Sequence, residues 1–352
     1  MNLFDSAIQK ENRLRPPVWF MRQAGRYHSH YRKLREQYSF VELCKRPEVA
    51  CEVTLGPIHE FDFDAAILFS DLLFPLEAMG MGLRYEEGPK LDWHLRDLED
   101  LKKLQGGADL VEKVSFQGKA LERIRKQLST ERSLLGFVGG PFTLFCYAVE
   151  GSHQGSLDSA REGLRDGRYS GFFEKLGDLL VENMILQAKS GADAVAIFDT
   201  CAGEVDPDTY REVIIPGLRW VMEKFKQECL HTPLVYYSKG MGPTHWQSLK
   251  GLPLACLGVD WNHDLKEMLL KWSDFWAIQG NIDPHWLFLD PQELENKLRK
   301  VFDSIKSLPL IHRRAWICGL GHGVLPKTPE ENVKLFLRLQ KEIFTDELRS
   351  SR

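Results

Sequence analysis

Eight short apolar runs, spaced widely enough to leave room for a helix between neighbours, limit what this chain can fold into. They lie at 17–21, 65–70, 134–139, 193–199, 233–238, 254–260, 275–279 and 314–320. Their apolar residues are near-continuous rather than alternating, as expected of strands covered on both faces in a parallel sheet. The segments between them read as amphipathic helices. Phe173, Leu176, Leu180 and Met184 share one face of a segment that stops at Gly191. Tyr210, Ile214, Leu218, Val221 and Phe225 repeat the pattern. Thr328, Pro329 and Glu331 read as N-cap, first-turn proline and capping-box acid of the last helix. Eight strands with interleaved helices predict an α/β fold of the (β/α)8 TIM type. An open doubly wound sheet is the alternative, but no G-x-G-x-x-G follows the first run. With 352 residues and neither low-complexity linker nor clear repeat, one barrel domain over 1–352 is expected. Its cleft would sit at the carboxyl ends of the strands. The polar stretch 152–170 reads as either a mobile lid or a solvated surface loop. The chain is expected to fray from about Thr345.

Net charge of −4 argues against a nucleic-acid-binding surface, so any positive field must be local. No apolar stretch approaches the roughly 18–20 residues of a membrane span, and MNLFDSAIQKENR lacks the shape of a signal peptide. Cys44, Cys51, Cys146, Cys201, Cys229, Cys256 and Cys318 are scattered without a CxxC, which reads as reduced cytosolic thiols. The nearest approaches to a metal motif, Cys229 with His231 and Cys318 with His322, lack four-ligand zinc spacing. The expectation is no metal.

The chemistry collects where the runs end. The first run, Pro17-Val-Trp-Phe-Met21, breaks into Arg22-Gln-Ala-Gly-Arg26. A buried segment that delivers guanidinium groups is costly unless an anion meets them. A carboxylate or phosphate ligand fits the planar fork of Arg; internal salt bridges are the competing explanation. The second run ends in Ser70-Asp71, the fourth in Asp199-Thr-Cys-Ala-Gly203 and the fifth in Tyr237-Ser-Lys-Gly240. The sixth ends in Asp260-Trp261, the seventh in Gln279-Gly-Asn-Ile-Asp-Pro284 and the eighth in Gly319-Leu-Gly-His-Gly323. Asp71 follows a serine and is flanked by apolar runs. It suits several N–H donors or a developing cation, or else caps the following helix. His322, between two glycines, can exchange a proton near neutrality or serve as a structural hydrogen-bonder. Phe137, Met21 and Ile67 are expected in the core.

Two long motifs carry a family resemblance. PVWFMRQAGR (17–26) and Gly136-Phe-Val-Gly-Gly-Pro-Phe-Thr-Leu-Phe-Cys-Tyr-Ala-Val-Glu-Gly151 resemble the two signatures of the uroporphyrinogen decarboxylases. FSDLLFPLEAMGM (69–81), FDTCAG (198–203), SKG (238–240), GVDW (258–261), QGNIDP (279–284) and GLGHGVLP (319–326) follow in that family's order. The resemblance spans about 15–340. It implies a cytoplasmic barrel homodimer of haem biosynthesis that needs no cofactor and removes four acetate carboxyls from uroporphyrinogen. It implies a substrate-binding set of Arg22, Gln23, Arg26, Asp71, Tyr147, Thr200 and His322. Asp71, Arg22, Arg26 and His322 are the catalytic candidates among them. The chain departs from the family in Tyr27-His-Ser-His-Tyr-Arg32, where Tyr-Leu-Pro-Glu-Tyr-Arg is usual, and in Thr200, where Ser is usual.

Two other readings compete. A related barrel methyltransferase would need zinc through His-x-Cys and a distant Cys, but Cys229 and His231 have the reverse order and precede a strand. A binding protein without activity would be expected to have lost Asp71 or an arginine, and all three are present.

Overall fold

Seven of the eight apolar runs become parallel strands in the computed structural model, which describes residues 2–86, 88–152 and 155–345. They are β1 (Ala65–Ile67), β2 (Ser133–Gly139), β3 (Ala194–Phe198), β4 (Leu234–Tyr237), β5 (Cys256–Gly258), β6 (Ala277–Ile282) and β7 (Trp316–Leu320). The strands adjoin one another in chain order and every pair is parallel. All their residues except Phe198 are buried, which explains the unbroken apolar runs. β1 has only three residues, so the far half of β2 lacks backbone partners on that side. There the Gln187 amide accepts from Phe137 N–H at 2.7 Å and donates to Phe137 O at 2.9 Å. Gly136 makes room for it, since a methyl at that position would overlap Gln187 Oε1.

The first run departs from expectation, for 17–21 is not a strand. It lies in the eighth position, between β7 and β1, and forms one parallel bridge, Val18 to Cys318. Cys318 N–H donates to Pro17 O at 2.9 Å, and Trp19 N–H donates to Cys318 O at 3.3 Å. On the other side Asp64 N–H donates to Val18 O at 2.9 Å, while Val18 N–H turns to the Asp64 carboxylate at 2.7 Å. Arg15 holds the same carboxylate with two donors, at 2.5 and 2.7 Å. Two features prevent a full ladder. Pro16 and Pro17 have no N–H to donate, and the chain turns back at once, with Gln23 N–H on Phe20 O at 3.1 Å. The edges of the curled sheet are joined all the same.

Helices wrap the sheet. Arg168–Lys189 buries Leu176, Leu180 and Met184 completely, leaves Phe173 half-buried, and is followed by Gly191 at φ +105°. Tyr210, Ile214, Leu218, Val221 and Phe225 are wholly buried, but their segment is a π-helical turn over Tyr210–Ile214 leading into an α-helix over Ile215–Glu228. Pro216, unable to donate to a preceding carbonyl, sits at the junction. The last helix, Glu330–Thr345, begins later than the Thr-Pro pattern predicts. The Thr328 hydroxyl donates back to Leu325 O at 2.8 Å, and Pro329 O receives Asn332 N–H at 3.1 Å. This helix lays Phe336 edge-on against Phe20 at 5.0 Å and gives the Gln340 amide to Pro16 O at 2.7 Å. The closing segment is therefore covered from outside.

Within 152–170, residues 153–154 lie outside the described residues. Asp158–Gly163 is helical, and the buried Arg168 ties the stretch down through Asp166 at 2.7 Å and Ser159 O at 2.9 Å. The fraying expected from about Thr345 concerns residues outside the described ones. All seven cysteines are free and buried. Among the described residues no helix is long and apolar enough to cross a membrane.

Asp64→Ala should strip the carboxylate from Val18 N–H and Arg15 together. The expected loss is about 3 kcal/mol, the usual cost of leaving a partly buried charge and a donor unpaired. Urea denaturation measures it, and a loss below about 1 kcal/mol, within the range of an exposed ion pair, would show that Asp64 does not hold the closing segment.

Candidate active site

The carboxyl ends of the strands open onto one mouth, and the turn after the closing segment reaches it first. Arg22 occupies the left-handed region at φ +60°, uncommon for a branched-chain or long side chain and a marker of a constrained turn. Its stem crosses Gly323, where a methyl would overlap Arg22 Cδ. Met21 O accepts Val324 N–H at 2.9 Å, fixing the two loops to each other. Arg22 and Arg26 are both exposed, and neither has an ion-pair partner among the described residues. The internal salt bridges that would have explained them are not formed among the described residues.

Gln23 does not share that direction. It is 1% exposed and turned into the barrel wall, accepting from Phe20 N–H at 3.2 Å and donating to Ala65 O at 3.0 Å. The Gln23 side chain fastens the closing segment to β1 and turns away from Arg22. The resemblance marked the motif; the direction of a side chain after a tight turn lies beyond it.

Asp71 follows the end of β1, four residues beyond Ile67. It is not the cap of the following helix, Phe74–Ala78, whose N-cap is Leu73 with no side-chain bond. Its Oδ1 accepts Leu73 N–H at 2.9 Å. Burial pushes the Asp71 carboxyl above its ordinary value, while the Leu73 N–H, the Tyr85 hydroxyl and the Arg22 charge pull it back. Tyr85 comes from a short antiparallel pair, Arg84–Tyr85 with Pro89–Lys90. Its buried hydroxyl lacks a well-aligned hydrogen-bond partner, although it is near enough to act on Asp71.

Tyr147 is brought in by the helix Pro141–Glu150, which follows β2. Burial, then the Asp71 carboxylate, raise its phenol, and Arg22 opposes them. The helix is seated by Asp199, fully buried after β3, which accepts Thr143 N–H at 2.8 Å and the Tyr236 hydroxyl at 3.4 Å. Desolvation raises Asp199 to about 6. Gly140 allows the approach, since a methyl there would overlap the Asp199 side chain. Thr200, next in sequence, is half-buried on the rim.

Across the mouth, the Tyr237 hydroxyl donates to Gly321 O at 2.8 Å and meets His322 Nδ1 at 3.0 Å. With its one proton on the carbonyl, the hydroxyl must accept at Nδ1, which assigns the Nδ1–H tautomer to His322. The two rings stack at 5.8 Å with 21° between planes. Burial and Asp260 raise the Tyr237 phenol, and Arg22 lowers it. The Arg22 charge thus acts on Asp71, Tyr147 and Tyr237 together. Arg26 stands further round, where its charge reaches Tyr31.

Arg22, Asp71, Tyr147 and the Tyr237–His322 pair form the cluster; Arg26 and Thr200 lie on its rim. Tyr85, Asp199 and Tyr237 were not singled out from the sequence. Tyr237 stood in view as the polar end of an apolar run, whereas Tyr85 carries no motif. An exposed guanidinium beside a desolvated carboxylate can anchor an anionic substituent while offering an acceptor to N–H groups or to a developing cation. Cys229 and His231 precede β4, at the end of the sheet away from the mouth, and Cys318 is buried within β7. Among the described residues no three His, Cys, Asp or Glu side chains are grouped to hold a metal.

The sequence model of one protein family, described as uroporphyrinogen decarboxylase (URO-D), matches residues 1–343. A protein named uroporphyrinogen decarboxylase from Prochlorococcus marinus is 36% identical over 335 residues, 94% of each chain. One of the same name from Pelobacter propionicus is 34% identical over 326 residues, 92% of this chain and 93% of the other. Among solved structures, a methyltransferase from Methanosarcina mazei superposes with a TM-score of 0.78 at 18% identity, covering 97% of this chain and 98% of its own. At that identity the likeness speaks to the fold alone.

Tyr85→Phe removes a group that lowers the Asp71 pKa, so Asp71 should titrate at higher pH in the variant. Carboxyl carbon chemical shifts followed against pH measure the midpoint. Stability should be unchanged or slightly raised, because a poorly partnered buried hydroxyl is lost. A midpoint that stays put or falls would separate Tyr85 from Asp71.

Proposed function

The chain belongs to the uroporphyrinogen decarboxylase family, and we propose how its residues carry that family's reaction. The reaction converts the four acetate side chains of uroporphyrinogen III to methyl groups, giving coproporphyrinogen III and four CO2 in tetrapyrrole biosynthesis. The observation that most supports the assignment of roles is the desolvated Asp71 carboxylate, with the Arg22 charge and Tyr147 around it.

A pyrrole acetate has no acceptor for the electron pair of its C–C bond until a ring carbon is protonated. Protonation turns the ring into an iminium-like cation. The C–C bond then breaks, its electrons form an exocyclic methylene and neutralise the cation, and CO2 leaves. Protonation of the methylene gives the methyl group, and loss of the added ring proton restores the pyrrole. Each round consumes one proton. Asp71 accepts the pyrrole N–H donors and stabilises the cation as it forms, an electrostatic role that works best in a desolvated site. Arg22 and Arg26 hold substrate carboxylates by forked contacts. Tyr147 and Thr200 hydrogen-bond at the rim. Guanidinium, with a pKa above about 12, is a poor acid, so the proton is delivered from Nε2 of His322 in its imidazolium form, which takes that proton from solvent while Nδ1–H stays on Tyr237.

The same proposal takes the chain as one barrel domain with its cleft at this mouth, acting as a cytoplasmic homodimer. It needs no metal or organic cofactor, since the protonated ring is itself the electron sink. Activity should survive dialysis against a strong chelator; loss restored by zinc would favour the methyltransferase chemistry. Light scattering at micromolar concentration should give a dimer.

The direct test is anaerobic incubation of the purified protein with uroporphyrinogen and separation of products by carboxylate number. Asp71→Asn, nearly isosteric, should lower turnover by roughly 10²–10³, the usual value of a group that meets developing charge. A folded Asn variant with wild-type turnover would end the proposed role. Gly323→Ala should leave the fold intact but push the Arg22 stem aside, raising KM more than it lowers kcat.

A further inference from the structure

Uroporphyrinogen carries eight carboxylates, four acetates and four propionates. Arg22 and Arg26 cannot pair with them all. The mouth holds a third exposed cation without an ion-pair partner among the described residues, Lys239, two positions beyond the end of β4. Tyr237, at the end of that strand, touches Gly321 and His322 across the opening.

The backbone around Lys239 is fixed from three sides. Gly203 N–H donates to the Ser238 hydroxyl at 2.9 Å, and Gly240 N–H donates to Asp260 Oδ2 at 2.6 Å. A methyl on Gly203 would overlap Lys239 O. The ammonium lies 5.6 Å above the ring of Trp261, just past β5. The loop that carries Trp261 abuts the one that carries His322, because a methyl on Gly321 would come within 2.6 Å of the Trp261 backbone nitrogen. Asp260 is held by backbone instead of forming an ion pair with the lysine: its carboxylate accepts Gly240 N–H at 2.6 Å and Asn262 N–H at 3.0 Å. An indole face steadies an ammonium at small desolvation cost and leaves its N–H groups available to an anion.

We propose that Lys239 is a third carboxylate anchor for the substrate, held ready by Trp261. The inference rests on the substrate reading above and adds a residue to it. Propionates persist through all four rounds, whereas acetates disappear, so the substituent read by Lys239 decides which rounds it serves.

Lys239→Gln, and Lys239→Met as a second variant that keeps the stem, should raise KM for uroporphyrinogen roughly tenfold, the usual loss on removing one charge-assisted contact. kcat should change less than about twofold, and the salt dependence of KM should weaken. Lys239→Arg should recover most of the loss. Run with coproporphyrinogen, which keeps four propionates and no acetate, as a competing ligand, the comparison locates the contact: an equal rise in its Ki assigns a propionate, and an unchanged Ki assigns an acetate. Fluorescence titration with uroporphyrin gives Kd without turnover. If wild-type protein binds the octa-acid but does not decarboxylate it, and the variants bind more weakly, the anchor stands and the reaction assignment falls. Unchanged KM and Kd in folded Gln and Met variants would overturn the anchor, as would failure of the wild type to bind.

Discussion

One carboxylate holds the sheet shut. Asp64 receives Val18 N–H and the Arg15 guanidinium through its side chain, while its own N–H reaches Val18 O. A parallel sheet that curls round leaves two edges, each a row of unpaired backbone groups. Here the gap is filled by a proline-led segment with too few donors to form a strand. Side chains supply what the backbone lacks: Asp64 at its start, Gln23 at its end and Gln340 from outside. Because the segment runs straight into the turn at Arg22, the same bonds that close the wall also determine where the cation stands.

The mouth is governed by electrostatics arranged before any ligand arrives. In a chain of net charge −4, Arg22, Arg26 and Lys239 are exposed at one end with no ion-pair partner among the described residues. The acids beside them are occupied with backbone: Asp71 with Leu73 N–H, Asp199 with Thr143 N–H, Asp260 with Gly240 and Asn262 N–H. The cations stand exposed to an incoming anion, while the carboxylates are held in place by backbone N–H groups. Among them Asp71 is desolvated beside Arg22, and burial raises its carboxyl above the ordinary range.

Much of this was legible beforehand. Seven strands stood out because burial on both faces leaves no choice but apolar residues, and the polar strand ends stood out against them. The first run misled because apolar content reports burial, not pairing; Trp19 and Phe20 are as buried as any strand residue. Arg22, Asp71 and His322 could be marked by residue type at the ends of apolar runs, and Tyr147 through the family resemblance. Gln23 was marked by the same motif yet faces the wall, since one residue of rotation in a turn reverses a side chain. Tyr85 was invisible because it enters the site from a short hairpin that no periodicity announces. The π-helical turn before Pro216 kept the expected buried face while changing the helix that carries it.

The closure also sets an order of assembly. The bond from the Gln340 amide to Pro16 O spans 324 positions, and the bridge from Val18 to Cys318 is nearly as remote. Contacts so distant in sequence are slow to find, and a nascent chain emerges from its amino end. The apolar residues that precede Arg22 therefore remain without their β7 and Glu330–Thr345 partners until those segments have been made. The turn at Arg22 is among the last parts to be set, and a chain stopped short of its final helix would leave Phe20 without the Phe336 ring that covers it, a target for chaperones and proteases rather than a partly working enzyme.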